Sequence, residues 1–538
     1  MSHFYNILPD HMISASVNKF EFFSARALER FPYLRYFLSG LLLPFGFAPF
    51  HLPALTILGL ALFYHQLCDK KDDSPFLSGL FFGLGFFGLG TSWIFVSIHD
   101  YGHLNTVTSA LITFLFLLYL SCFPALVSMI FCRLAVPYTL SASLFFSALW
   151  LIGEYLRATF LSGFPWLLIG FGQIDAPTRF LLPIIGVFGV SFLSSFAATL
   201  LSNAIYKKKT VLRYSYLLVF ITILSCPILL KNINWATVDK QPISVGVIQA
   251  NLSMRDKWDE RLFWQLLDRY QQAVQSLLGT ELIVMPESAI PLPAAYISDI
   301  IDDLDGKAKE KGSAILLGIP QPTTVDEHTF FNSLISLGKA QGVYLKQHLV
   351  PFGEYIPSAF QLITTWLGIE DPNMKPGLTN QPLMQVQNYP IATLICYEVA
   401  YGNLLREQLP AARWIVSISD DGWFGHSLAL YQQLQMAQVR SLQTARYQIS
   451  ANNDGLSAVI NPRGKIENFL PAYSEGILKA TIFPAEGKTP WVTLGDTPAL
   501  IFSLLIILFF SSYQLMFAKV TDQTIAAKHK RRYPYQPS

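Results

Sequence analysis

IATLICYE (391–398) is the stretch on which the reading of this chain turns: six residues suited to a buried strand end at Cys396, and the chain then becomes polar at Tyr397 and Glu398. A side chain at the C-terminal end of a strand lies where open α/β folds gather their ligands. Similar runs lie on both sides, namely ISVGVIQA (243–250), ELIVMPE (281–287), AILLGIP (314–320), WIVSIS (414–419) and SAVINP (457–462). Between two of them, RLFWQLLDRYQQAVQSLL (261–278) carries an amphipathic helical period. Strand-length apolar runs separated by helical patterns predict an α/β layer domain over residues 236–491.

Outside that region the texture changes. Of the 538 residues 52% are hydrophobic and only 14% charged, which marks a membrane protein. Windows of roughly spanning length fall at 34–50, 52–68, 75–98, 106–132, 138–160, 180–205, 213–231 and 497–518. The first two are short and carry Pro44, Pro49 and Pro53, so together they also fit one re-entrant hairpin. The expected organisation is a membrane helical bundle of about eight spans. Its parts are an N-terminal membrane domain over 1–235, the inserted domain over 236–491, and a last span with a basic tail over 492–538.

Lys and Arg cluster at alternate loops: Arg26, Arg30 and Arg35; Lys70 and Lys71; Arg133; Lys207, Lys208, Lys209 and Arg213; and Lys519, Lys528, Lys530, Arg531 and Arg532. The intervening loop SIHDYGHLNT (97–106) has none. The charge rule then puts both termini in the cytoplasm and the inserted domain across the membrane. The first thirty residues lack the apolar core of a removable signal peptide. A formal net charge of +2 gives no reason to expect a nucleic-acid partner.

Four of the five cysteines (Cys68, Cys122, Cys132 and Cys226) lie in or beside apolar windows, and Cys396 alone lies in the inserted domain. A lone cysteine is ordinarily a small buried hydrophobe. An extracytoplasmic compartment, however, is disulfide-permissive, so an unpartnered thiol there calls for a reason. No CxxC pair or Cys/His cluster suggests a metal, and no cofactor is expected. Glu287, in VMPES, also follows an apolar run and suits a general base if burial raises its pKa. Lys346, in YLKQHLVPFGEYIP, is a surface lysine on the bland reading and an oxyanion-stabilising cation on the functional one. The two prolines and the glycine of PFGEYIP define a rigid loop around Glu354. Glu154 and Arg157, at i and i+3 in the fifth window, are expected to pair with each other, with a lipid headgroup contact as the alternative. Gly79, Gly83, Gly85, Gly88 and Gly90 in the third window suit close helix packing.

The order Glu287, Lys346, Cys396 on three successive strand ends resembles the nitrilase superfamily, whose fold is a four-layer αββα sandwich. Further stretches, namely GFAPF (46–50), GTSWIFVSI (90–98), SGFPW (162–166), QANLSMRDKWD (249–259), LVPFGEYIP (349–357), ICYE (395–398), DGWFG (421–425) and ANNDG (451–455), are similar to those of the apolipoprotein N-acyltransferase family. That resemblance implies Glu287 as base, Lys346 as oxyanion stabiliser and Cys396 as thiol nucleophile. It implies supporting roles for Glu354, Tyr397 and Glu398 around the thiol, and for Trp258 and Trp423 on loops at the mouth. It further implies a membrane phospholipid as acyl donor, a diacylglyceryl-apolipoprotein as acceptor, and the bacterial inner membrane with a periplasmic catalytic domain as the setting. This chain departs from the family pattern with MPES in place of WPE, DDGWFG in place of NDAWFG, and Gln443 where a Glu is usual. A membrane-tethered amidase acting on small amides and a non-catalytic membrane scaffold are the rival readings.

Overall fold

The computed structural model describes residues 31–69, 74–102, 104–207, 209–323, 329–366 and 371–512. The basic positions Arg26, Arg30, Lys70, Lys71, Lys208, Lys519, Lys528, Lys530, Arg531 and Arg532, and the end of the last apolar window, lie outside the described residues.

Among the described residues, four helical stretches are long and apolar enough to cross a membrane: Thr106–Leu134, Leu140–Ser162, Pro177–Tyr206 and Thr210–Leu230. A fifth arises if Pro75–Gly90 and Trp93–Tyr101, bent by 60°, count as one span. The first two windows appear as the short helices Leu34–Leu41 and Pro53–Cys68, separated by the 3-10 turn Leu43–Gly46 that Pro44 enters. Side chains close the helix starts where the sequence offers an acceptor: Asn105 takes the Thr108 N–H, and Thr139 takes that of Ala142. A Cβ on Gly79 or Gly83 would meet the Thr106–Leu134 helix within 3 Å, at Ala125 and Ser121, so these two positions allow the backbones to touch. Gly88 faces open space and has no such role.

The inserted region is built on two large sheets. One runs Gly476–Ile482, Ile243–Gln249, Leu282–Val284, Ala314–Pro322, Phe330–Gly338, Val343–Leu345. The other runs Ile466–Phe469, Ala458–Ile460, Gln448–Asn452, Ile415–Ser419, Tyr389–Ile395, Met384–Val386, Ala340–Gln341. Val245, Val284 and Leu316 of the first share one apolar core with Ile395, Val416 and Ile449 of the second. Ile283 and Ile315 turn the other way and pack with Leu266 and Tyr270 of helix Phe263–Leu277. Leu394 and Ile415 likewise share a core with Met436 and Val439 of helix Ala429–Thr444, and this cluster continues into membrane-part residues such as Trp166 and Phe171.

The strand order corrects one expectation. Glu287 and Lys346 follow Leu282–Val284 and Val343–Leu345 of the six-stranded sheet, whereas Cys396 follows Tyr389–Ile395 of the seven-stranded one. They are therefore not on successive strands; they meet because the two sheets face each other. Strands Phe330–Gly338 and Gln448–Asn452 are additions to the runs read from the sequence.

Candidate active site

Strand Tyr389–Ile395 pairs in parallel with Ile415–Ser419, and at its end the backbone turns abruptly: Cys396 has φ +54° and opens the 3-10 helix Cys396–Ala400. A left-handed conformation at a residue with a Cβ is strained, and such strain persists where surroundings hold it. The thiol is buried. Its pKa is pushed well above the ordinary thiol value by that burial and by the charge of Glu287, while Lys346 opposes the rise.

Glu287 is buried with both carboxylate oxygens engaged. Oε1 accepts from Asn332 Nδ2 at 2.6 Å and faces Lys346 Nζ at 3.4 Å; Oε2 accepts the Asp420 N–H at 3.0 Å. Lys346 Nζ, 1% exposed, lies 2.8 Å from Glu354 Oε1. Burial alone would strip its charge, but Glu354 and then Glu287 outweigh that effect and hold its pKa above the ordinary lysine value. Glu354 also receives Asn332 Nδ2 at 2.9 Å and the Val350 N–H at 2.8 Å, so the PFGEYIP loop closes on its own carboxylate.

Glu398 ties the lysine segment to the cysteine segment. Its Oε1 accepts the N–H groups of Gln347 at 2.7 Å and His348 at 3.0 Å; its Oε2 accepts that of Ile395 at 2.8 Å; and the Tyr344 hydroxyl donates to both oxygens. Burial pushes its pKa up to about 7 against the pull of those N–H groups. Asn332, Lys257, Asp420 and Asp421 are the site residues that the sequence reading missed. All four are buried, and polar residues on strand or loop runs carry no periodic signal. Among the described residues no group of three or more His, Cys, Asp or Glu side chains is placed to hold a metal ion.

Residues 39–200 match the apolipoprotein N-acyltransferase N-terminal domain, and residues 244–488 match the carbon-nitrogen hydrolase family. An apolipoprotein N-acyltransferase of Coxiella burnetii is 34% identical over 459 residues, covering 84% of this chain and 94% of its own length. Those of Methylococcus capsulatus (33%, 86% of this chain and 92% of the relative) and Pseudomonas aeruginosa strain LESB58 (34%, 84% and 90%) agree. The chain belongs to the apolipoprotein N-acyltransferase family.

For a member of this family the contacts between site and membrane part carry weight. Tyr397, expected beside the thiol, turns its ring toward Trp166, with centroids 6.3 Å apart, and its hydroxyl donates to the Gly163 carbonyl at 3.2 Å. The Tyr401 hydroxyl donates to the same carbonyl at 3.0 Å, and Tyr355 and Ser162 join through their hydroxyls at 2.7 Å. Trp423 is 43% exposed and meets Tyr101 edge-on, while the Ser97 hydroxyl donates to its carbonyl. Trp258 is 49% exposed at the end of helix Met254–Lys257. Glu154 and Arg157 attract each other as expected but make no direct ion pair; their hydrogen bonds go to other groups. Arg157 donates to the carbonyls of Phe164 at 2.8 Å and Trp166 at 2.5 Å, and Glu154 accepts the Ile169 N–H at 2.9 Å, so the two shape the loop on which Tyr397 and Tyr401 rest.

Two further carboxyls have raised pKa values. Burial pushes Asp421 up to about 7, against its hydrogen bond from Ser419, and pushes Asp454 up to about 8, with Asp420 adding to the rise. A carboxyl whose folded pKa exceeds its unfolded value adds stability at low pH that is lost as pH rises through the folded pKa. Both ordinary values are 3.8, so these two carboxyls are expected to lower stability as pH rises from about 4 to about 8, and Asp421→Asn to flatten that slope. Thermal unfolding in detergent across this pH range is the check.

Proposed function

We propose that the chain transfers a fatty acyl group from a membrane phospholipid to the α-amino group of a diacylglyceryl-cysteine at the N-terminus of an apolipoprotein, through a thioester on Cys396. The observation that carries this reading is the meeting of Glu287, Lys346 and Glu354 in one buried network beside the strained Cys396, under a loop contributed by the membrane part. In the first step Glu287 takes the thiol proton and the sulfur attacks the ester carbonyl. Lys346 stabilises the tetrahedral oxyanion. The carbon–oxygen bond breaks, the proton passes from Glu287 to the leaving alkoxide, and lysophospholipid departs. In the second step the amine attacks the thioester, its proton goes to Glu287, and the thiolate leaves to be reprotonated. A thiol that holds its proton at rest suits this order, because the nucleophile forms only when a base and an acceptor carbonyl are both in place.

Glu354 and Asn332 orient the lysine and the base; Glu398 and Tyr397 hold the cysteine turn; and Trp258 and Trp423 line the approach. The two facing sheets with helices on their outer sides support the αββα layering. The domain divisions near 235 and 491 and a total of about eight spans complete the topology. With Lys and Arg in alternate loops, this puts the catalytic domain in the periplasm and both termini in the cytoplasm. Anchoring at both ends suits an enzyme with two lipid substrates, since a soluble one would extract chains from the bilayer at about 0.8 kcal/mol per CH₂.

Incubation with phospholipid alone, followed by mass spectrometry of the Cys396 peptide, is the test. The peptide is expected to gain one acyl group. An unmodified thiol in a preparation that still N-acylates a lipopeptide would rule the thioester out.

A further inference from the structure

Lys257 is a fully buried lysine that the reaction scheme above does not use, and its side chain has no exposure at all. Buried ammonium groups occur where they are paired. Its Nζ forms an ion pair with the Asp420 carboxylate, itself 3% exposed, and donates to the backbone carbonyl of Glu287 at 3.0 Å. Asp420 in turn supplies the N–H that holds Glu287 Oε2, while its Oδ1 accepts from Gly422 N at 3.2 Å and Asn453 Nδ2 at 3.1 Å. Glu287 is thus gripped from two sides: Asn332 and Lys346 on Oε1, and the Lys257–Asp420 pair on Oε2 and on its own backbone.

We propose that Lys257, by its bond to the Glu287 carbonyl together with its ion pair to Asp420, is a positioning residue that aims the Glu287 carboxylate at Cys396. This deepens the reading of Glu287 as the base and rests on it. Asp420 places a further negative charge next to Glu287, whose Oε2 its own N–H holds. Lys257 compensates that charge; without it Asp420 stands as a buried carboxylate lacking a counter-ion, which is strongly unfavourable. The same lysine ends the helix Met254–Lys257 just before Trp258, and Asn453 holds the preceding turn by accepting from Leu252 N at 3.1 Å and donating to Leu252 O at 2.8 Å. The loop at the mouth and the orientation of the base are therefore fixed by one set of contacts.

The experiment follows thioester formation on Cys396 in single turnovers of the full-length protein with phospholipid in mixed micelles. Lys257→Met is expected to slow acylation about a hundredfold, the scale of a misplaced catalytic group. KM for phospholipid is expected to stay within about twofold. Adding Asp420→Asn to Lys257→Met removes the uncompensated charge and is expected to restore about tenfold of the rate. Asp420→Asn alone is expected to be faster than the double variant by about tenfold, because Lys257 keeps its bond to the Glu287 carbonyl. Should Lys257→Met fail to fold, that last comparison between two neutralised sites still decides the matter. Equal rates for Asp420→Asn and the double variant, or a parental rate for Lys257→Met, would overturn the proposal. Glu287→Gln in parallel separates the two inferences: if it is inactive, a failure at Lys257 leaves the base intact, whereas if it acylates at the parental rate the base assignment itself fails.

Discussion

Replacing Cys396 with alanine is expected to abolish both lysophospholipid release and acyl transfer, a loss of about a millionfold or to below detection, as for other removed nucleophiles. The fold is expected to survive. Cysteine and alanine are equally strained at φ +54°, and deleting one buried sulfur leaves a cavity costing on the order of 1 kcal/mol. Cys396→Ser is expected to fall nearly as far. The buried setting that raises the thiol pKa acts on a hydroxyl that is harder still to ionise, and Glu287 would have to remove a proton held much more firmly. A fluorescent phospholipid donor with a synthetic lipopeptide acceptor measures both half-reactions. Transfer by the alanine variant above the uncatalysed background would place the acyl carrier elsewhere in the chain.

The parts of this site that could be read from sequence share one trait. Glu287, Lys346 and Cys396 each stand just beyond an apolar run, so a change from apolar to polar marks the strand end. Asn332 sits in the middle of a strand, in FFNSLISLG, where Asn and Ser read as turn residues. It is buried because its amide bridges Glu287 and Glu354, so a buried hydrogen-bond bridge has overridden the hydrophobic pattern. QISAN (448–452) hides for a related reason. It is an interior strand with polar ends, parallel to Ile415–Ser419 and antiparallel to Ala458–Ile460, and its Asn452 accepts the Asp421 and Gly455 N–H groups. The membrane part shows the same limit. Composition locates the apolar windows, but Pro44 and the 60° bend near Thr91 divide two of them, and composition cannot tell which pieces share a span. Glu154 and Arg157 are visible as charges on one helix face, yet beyond the Trp150 indole their hydrogen-bond partners are backbone atoms of a loop some ten residues on, a contact with no sequence signature.

Glu398 yields the second large effect, and here two substitutions separate charge from shape. Its two oxygens receive three backbone N–H groups from two segments, those of Gln347 and His348 beside Lys346 and that of Ile395 beside Cys396. Glu398→Ala leaves three donors unpaired, that of Ile395 fully buried and those of Gln347 and His348 part-buried, at up to about 1–3 kcal/mol each, so a loss of several kcal/mol and a substantially inactive enzyme are expected. Glu398→Gln keeps the shape but replaces one acceptor by an NH₂ group. With that group at the Oε1 position it confronts two N–H donors, and at the Oε2 position it confronts only the Ile395 N–H, with the Tyr344 hydroxyl free to reverse and accept. The second orientation is preferred, so the glutamine variant is expected to lose only about 1–3 kcal/mol. Its misfit falls on the Ile395 peptide, the one immediately before Cys396. Glu398→Gln should therefore slow thioester formation on Cys396 more than it perturbs the Lys346 side. Denaturant unfolding in detergent, compared with single-turnover acylation of Cys396, separates the two effects. A glutamine variant as unstable as the alanine one would mean that charge, rather than the pattern of acceptors, joins these segments.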